Sequence, residues 1–250
     1  MIEITAESRA ALIRSNYERV LERVRAAAIH GGRNPVDVRV VVVTKGQPVE
    51  VIQSAIQAGI YIFGENYPEE TAPKIQILND PRVEWHMIGH LQSRKSKLVA
   101  EYFDWFHALD SLRLAEKLNR ALEERKKTMP VLLEMNIDGE EGKSGWLADH
   151  EFEWPEIADT AAQIQKFSSL NVCGLMTMPP LELEGAKSQV YFERLRKLRD
   201  YIEGRQPQLK LPHLSMGTSQ DFEAAVTEGA TIIRVGQAIL GPRPKTKPTI

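Results

Sequence analysis

Along the first thirty positions apolar residues recur at helical spacing. Ile13, Tyr17, Val20, Leu21, Val24, Ala27 and Ala28 share one face, which predicts an amphipathic helix that Gly31-Gly32 stops. Beyond it the pattern changes. Short apolar runs occupy residues 38–44, 60–63, 84–89, 104–108, 130–136, 171–177, 211–215 and 231–235. Helix-like stretches, among them 49–58, 111–124, 187–203 and 220–228, lie between them. The run Val40-Val41-Val42-Val43 is continuous rather than alternating, as suits a parallel strand covered on both faces. Eight such runs alternating with helices predict a (β/α)₈ barrel of the TIM type with an extra N-terminal helix. An open doubly wound sheet is the alternative, because periodicity does not fix closure. The chain reads as one domain over residues 1–250, with the helix in 1–33 and a loose, Pro- and Lys-rich tail at 242–250. The longest irregular stretch, 137–149, follows a strand, where barrels carry functional loops.

In such a barrel the chemistry sits at the carboxyl ends of the strands. There the chain places Lys45, Gly64-Glu65-Asn66, His90-Leu91-Gln92, Asp110, Asn136, Met178, Ser215-Met216-Gly217 and Gly236. Polar residues and glycines recur at these points although the runs were located by apolarity alone.

Composition narrows the partners. With 250 residues, 42% hydrophobic and 26% charged, the chain has the balance of a globular domain with a sizeable core. Cys173 is the only cysteine, which excludes a disulfide framework or a multi-cysteine zinc site and fits a reducing compartment. A net charge of −2 argues against a nucleic-acid partner, and the basic run at Arg94, Lys95 and Lys97 reads as a solvated helix start. No stretch approaches the ~20 apolar residues of a membrane span, and Met1-Ile2-Glu3-Ile4-Thr5 lacks the basic flank of a signal peptide. The expectation is a cytoplasmic protein.

Lys45 ends the most apolar run. On its own it reads as a lysine snorkelling from a strand tip. A lysine that attacks an aldehyde must be neutral, and desolvation at a strand end favours the neutral amine. The last two strand–helix units shift the balance. Ser215-Met216-Gly217-Thr218-Ser219 leads into a helix that Thr218 or Ser219 could cap, and small and hydroxyl residues there suit an anion. Gly236 permits close backbone approach. Loops after strands seven and eight are the usual phosphate site of this barrel class. A phosphate cradle beside a desolvated lysine suits a phosphorylated aldehyde.

Seven ordered segments then carry a resemblance. Val43-Thr44-Lys45, Gly64-Glu65-Asn66-Tyr67, Trp85-His86-Met87-Ile88-Gly89-His90-Leu91-Gln92, Asn136-Ile137-Asp138-Gly139-Glu140-Glu141-Gly142-Lys143, Gly174-Leu175-Met176-Thr177-Met178, Leu214-Ser215-Met216-Gly217-Thr218-Ser219 and Arg234-Val235-Gly236 resemble the pyridoxal phosphate homeostasis protein family (YggS/PROSC). That family is similar in fold to the barrel domain of alanine racemase. The resemblance implies that Lys45 holds pyridoxal 5′-phosphate (PLP) as a Schiff base. It implies that Ser215, Ser219, Gly236 and Gln237 hold the phosphate, that Arg234 faces the pyridine nitrogen, and that Asn66 and Met216 line the ring pocket. It implies a PLP carrier acting in PLP homeostasis without turnover, with PLP-requiring apo-enzymes as partners and a monomer or weak homodimer as its state. Gly46-Gln47 and Pro68 depart from the family pattern; a proline is tolerated in the first turn of a helix.

Arg234 also bears on reactivity. A guanidinium cannot accept a proton from the ring nitrogen, so it disfavours the pyridinium form. Racemisation further needs an acid/base on each face of the substrate carbon, and residues 236–250 are too few for a second domain to supply one. A racemase-like PLP enzyme and a Schiff-base lyase stay open as alternative functions. Two other signals fail. Gly142-Lys143-Ser144 lacks the first P-loop glycine, since Ile137 stands there. His86 and His90 would lie ~13 Å apart on a strand, too far for one metal, so His86 is expected in the core or behind the site, with no metal.

Overall fold

The computed structural model describes residues 5–180 and 185–243. The amphipathic start folds as α1 (Ala6–His30), with the Thr5 hydroxyl accepting from the Ser8 N–H and Gly31 at its end. Ile13, Val20, Val24, Ala27 and Ala28 are buried as the spacing predicts, whereas Leu21 sits at the edge of the stripe and is exposed.

Then β1 (Arg39–Val43), α2 (Val49–Gln57), β2 (Ile62–Glu65), α3 (Pro68–Leu78), β3 (Glu84–Met87), α4 (Ser96–Tyr102), β4 (Trp105–Leu109), α5 (Leu112–Glu123) and β5 (Met129–Asn136) alternate. After them come β6 (Trp146–Leu147), α6 (Trp154–Ile164), β7 (Leu170–Met176), α7 (Gln189–Arg205), β8 (His213–Ser215), α8 (Phe222–Thr227), β9 (Ile232–Val235) and α9 (Gln237–Leu240). All pairings are parallel, in the order β4-β3-β2-β1-β9-β8-β7-β5, and β4 pairs with β5 to close the ring. The sheet is therefore an eight-stranded barrel, and the open-sheet alternative falls away.

Several boundaries differ from the apolar pattern, three of them with a visible cause. β2 runs on to Glu65, because Gly64 and Glu65 still pair with His86 and Met87 and the Glu65 carboxylate has buried partners. The stretch 137–149 is not wholly irregular: β6 pairs with the end of β5 through Met135 and Asn136, a two-residue strand too short to show a period. The eighth-unit helix starts at Phe222 rather than 220, since Ser219 to Asp221 form a turn.

α1 lies outside the ring against α2, α8 and α9. Arg23 pairs with Glu223 at 2.7 Å, and Arg33 donates to the carbonyls of Val226 and Ala230 at 2.6 and 2.8 Å. The lone thiol, Cys173, is buried in β7; burial pushes it up to about 12, and it donates weakly to the Val131 carbonyl. Among the described residues, no helix is long and apolar enough to cross a membrane.

Candidate functional site

Barrel closure gathers the strand ends at one rim. β1, β9 and β8 are neighbours in the ring, so residues after β1, β8 and β9 face one another although nearly 200 positions separate them. They enclose a cavity of about 280 Å³, near the lower end of ligand-sized pockets. Of the residues expected at a cofactor, Lys45, Asn66, Ser219, Arg234, Gly236 and Gln237 line it.

Lys45 is half-buried, and its amine is pushed below the usual lysine value, first by desolvation and then by the Arg243 cation; the Glu65 charge opposes both. Glu65 is itself restrained. Its carboxylate accepts from the Thr44 hydroxyl and from Lys74, both at 2.9 Å. Lys74 thus takes up the charge that would otherwise act more fully on Lys45.

Opposite the lysine stands the turn after β8. Neither Thr218 nor Ser219 caps a helix. Asp221 precedes α8, and its Oδ1 accepts from the Thr218 N–H at 2.6 Å and the Thr218 hydroxyl at 3.0 Å. That bond ties the turn shut and leaves the Ser219 side chain at the cavity. After β9, a Cβ added at Gly236 would come within 3.2 Å of the Val43 carbonyl. A side chain there would crowd the end of β1.

Arg234 is buried, and burial pulls its pKa down to about 10, still a cation at neutral pH. Nη1 donates to the Ser215 carbonyl at 2.8 Å and the Ser215 hydroxyl at 2.5 Å, and Nη2 donates to the Thr177 carbonyl at 2.8 Å. Ser215 and Met216, expected at the ligand, do not line the cavity. Both are wholly buried, and the Ser215 hydroxyl faces the barrel interior, where Arg234 and His107 occupy it.

The sequence reading missed Arg243, which lines the cavity although it falls in the stretch read as a loose tail; residues 244–250 lie outside the described residues. A cation flanked by Pro242 and Pro244 was the available signal. Ile88, Met178 and Gln220 also line the cavity. Pro68 opens α3 in its first turn, and Gly46 takes φ +70°, a left-handed turn that a glycine makes without strain. His86 is interior, whereas His90 is at the rim with Nδ1 2.9 Å from Asp110 and 3.1 Å from the Ser144 hydroxyl. Glu134 on β5 is pushed up to about 7 by burial and by the charge of Asp110.

Residues 13–244 match the alanine racemase N-terminal domain family. The chain is 38% identical to the pyridoxal phosphate homeostasis protein of Vibrio alginolyticus, over 92% of this chain and 97% of that one. It is likewise 38% identical to the protein of the same name from Escherichia coli K12, over 94% and 98%. This chain belongs to the pyridoxal phosphate homeostasis protein family. Among solved structures it is similar to PipY of Synechococcus elongatus with PLP bound, at 34% identity and a TM-score of 0.75, covering 89% of this chain and all of that one. Alanine racemase from Streptomyces coelicolor shares the fold at 17% identity and a TM-score of 0.69, with 58% of its length covered. In that setting the donor set is legible. An amine with a lowered pKa, hydroxyl and backbone groups after β8 and β9, and two cations suit a phosphorylated aldehyde. Asn66 Oδ1 is buried without a hydrogen-bond partner and suits a ring substituent that donates.

Proposed function

We propose that this homeostasis-family protein binds PLP as a Schiff base on Lys45 and holds it without catalytic turnover, as an intracellular PLP carrier. The observation that carries the reading is the meeting of Lys45, Ser219, Gly236, Gln237 and Arg234 around one cavity. When bound, PLP supplies an electrophilic aldehyde on an electron-withdrawing ring.

The chain's own residues do the rest. Desolvation and Arg243 raise the neutral fraction of the Lys45 amine, the form that attacks a carbonyl. Ser219 and the backbone around Gly236 and Gln237 would receive the phosphate, with Arg243 lining the same cavity. Arg234, held by Ser215 and Thr177, would face the pyridine nitrogen and keep a proton off it, because a guanidinium only donates. A carrier needs those features and no second acid/base. The natural acceptors are PLP-requiring apo-enzymes, met by a monomer or weak homodimer in a reducing cytoplasm.

The test is the absorption spectrum of purified, PLP-loaded protein before and after borohydride, with peptide mapping. The expected result is cofactor fixed on the peptide that contains Lys45 and loss of the visible band in Lys45→Ala. Fixation only at another lysine overturns the assignment.

A further inference from the structure

The interior of the barrel carries a polar line from one end to the other. His86 on β3 and His107 on β4 are both wholly buried. His86 Nε2 lies 2.5 Å from Glu84 Oε1, and His86 Nδ1 lies 2.8 Å from His107 Nε2. His107 Nδ1 lies 3.0 Å from the Ser215 hydroxyl, which accepts from Arg234 Nη1 at 2.5 Å. Glu84, at the amino end of β3, also accepts from Arg39 at 2.6 Å.

The direction of every bond follows from the Glu84 end. Burial works against the Glu84 charge, but the hydrogen bond from His86, with the charge and bond of Arg39 beside it, holds the carboxyl below its usual value. An ionised carboxylate only accepts, so His86 carries a proton on Nε2. Both imidazoles are held neutral. Desolvation is the larger cause for each; the Arg39 cation adds to it for His86, and the Arg234 and Arg39 cations add to it for His107. The charge of Glu84, and more weakly that of Asp104, opposes this at His86. A neutral imidazole has one donor and one acceptor. His86 Nδ1 is therefore an acceptor, His107 carries its proton on Nε2, and His107 Nδ1 accepts the Ser215 hydroxyl hydrogen. The serine oxygen then turns its lone pairs to Arg234.

We propose that His107, backed by His86, is a positioning residue for the cofactor-site cation: the one-way chain from Arg234 through Ser215, His107 and His86 to Glu84 fixes the Ser215 hydroxyl as an acceptor and so fixes where the guanidinium points. The line is polar in the electrical sense too, with a cation at one end and an anion at the other. Neither imidazole touches the cavity, so neither is a catalytic residue. The role of the chain at the ligand rests on the PLP reading above; the bond directions do not.

Two measurements separate those layers. Nitrogen NMR of the protein without PLP reads the tautomers directly. Both His86 and His107 should appear as neutral imidazoles protonated on Nε2 at neutral pH; an Nδ1–H tautomer or an imidazolium at either position overturns the chain whatever the ligand is. The second measurement uses PLP-loaded His107→Gln and His107→Leu. Leucine removes the acceptor, and Arg234 loses the fixed lone pair of the Ser215 hydroxyl while it keeps the Ser215 and Thr177 carbonyls. PLP should bind about tenfold or more weakly, the size of one hydrogen bond to a charged group, and the pH profile of its absorbance should shift. Glutamine, whose amide oxygen can accept from Ser215, should recover part of both. A packing defect alone would lower the melting temperature and leave the pH profile unmoved, and that result overturns the positioning role. Should both His107 variants fail to fold, Ser215→Ala carries the same spectral test, and the NMR tautomers stand by themselves. A correct tautomer pair in a protein with no visible PLP band would sink the cofactor reading and spare the chain.

Discussion

Ser219 is the side chain on which the phosphate reading can be isolated. It lines the cavity, and the Thr218–Asp221 bonds hold its turn independently of any ligand. Ser219→Ala should weaken PLP by roughly fivefold to tenfold, one lost hydrogen bond to a dianion, and leave pyridoxal nearly unchanged. Titration with both ligands decides it; equal weakening would place the phosphate elsewhere. Gly236→Val is the poorer probe, because its side chain would crowd the Val43 carbonyl two residues from Lys45. Strand ends made Lys45, Asn66 and Gly236 legible in the sequence, since a barrel converts the ends of distant runs into one rim. His107 was not legible as a polar site: it sits inside an apolar run, between Phe106 and Ala108. Only the closed ring brings it to Ser215 and His86. Arg243 was hidden for another reason, since composition alone does not show that its side chain reaches the cavity.

Among the elements, the β7–β8 pair has the tightest backbone contact with a glycine. Gly174 pairs with His213, and a Cβ there would lie 2.0 Å from the His213 carbonyl oxygen. That neighbour is backbone in a ladder and has no rotamer to escape into. Gly174→Ala should lower stability by roughly 1–3 kcal/mol or more, read as a lower urea midpoint with an unchanged slope. An unchanged midpoint would mean that the two strands can part without cost. The periodicity located every barrel strand because each is a short apolar run flanked by turn residues. It misplaced the ends where polar side chains finish a strand. Glu65 extends β2 because Thr44 and Lys74 satisfy its carboxylate, a long-range cause that a local pattern does not carry.

For the molecule as a whole, two buried neutral imidazoles set an acid limit. Unfolded, each takes a proton near pH 6.5; folded, each takes it at lower pH. Below about pH 6.5 the unfolded chain holds more protons, so stability is present above that value and falls as pH drops, by up to about 1.4 kcal/mol per unit for each histidine. Urea midpoints measured from about pH 7 down to pH 5 should fall, and fall less steeply in His107→Gln. A flat profile would show that one imidazole is already charged in the fold. The second whole-molecule expectation concerns turnover. Among the described residues no tyrosine lines the Lys45 cavity, and Arg234 would disfavour the electron-poor ring that carbanion chemistry needs. PLP-loaded protein incubated with L-alanine should give no racemisation by chiral analysis. Lysine-dependent turnover on the order of 1 per second would overturn that, and Tyr61, Tyr67 and Tyr191, which a second copy could supply, would be the residues to mutate.

Cys173 has a practical use that its chemistry permits. The chain has one thiol, buried between strands and held protonated up to about 12, so alkylating dyes meet no native thiolate on the folded protein. A single cysteine introduced at an exposed rim position such as Leu147, 48% exposed on β6, would accept one fluorophore without first removing any residue. Energy transfer from that dye to a coloured ligand in the barrel would then time the ligand's departure in the presence of an acceptor enzyme, one molecule at a time.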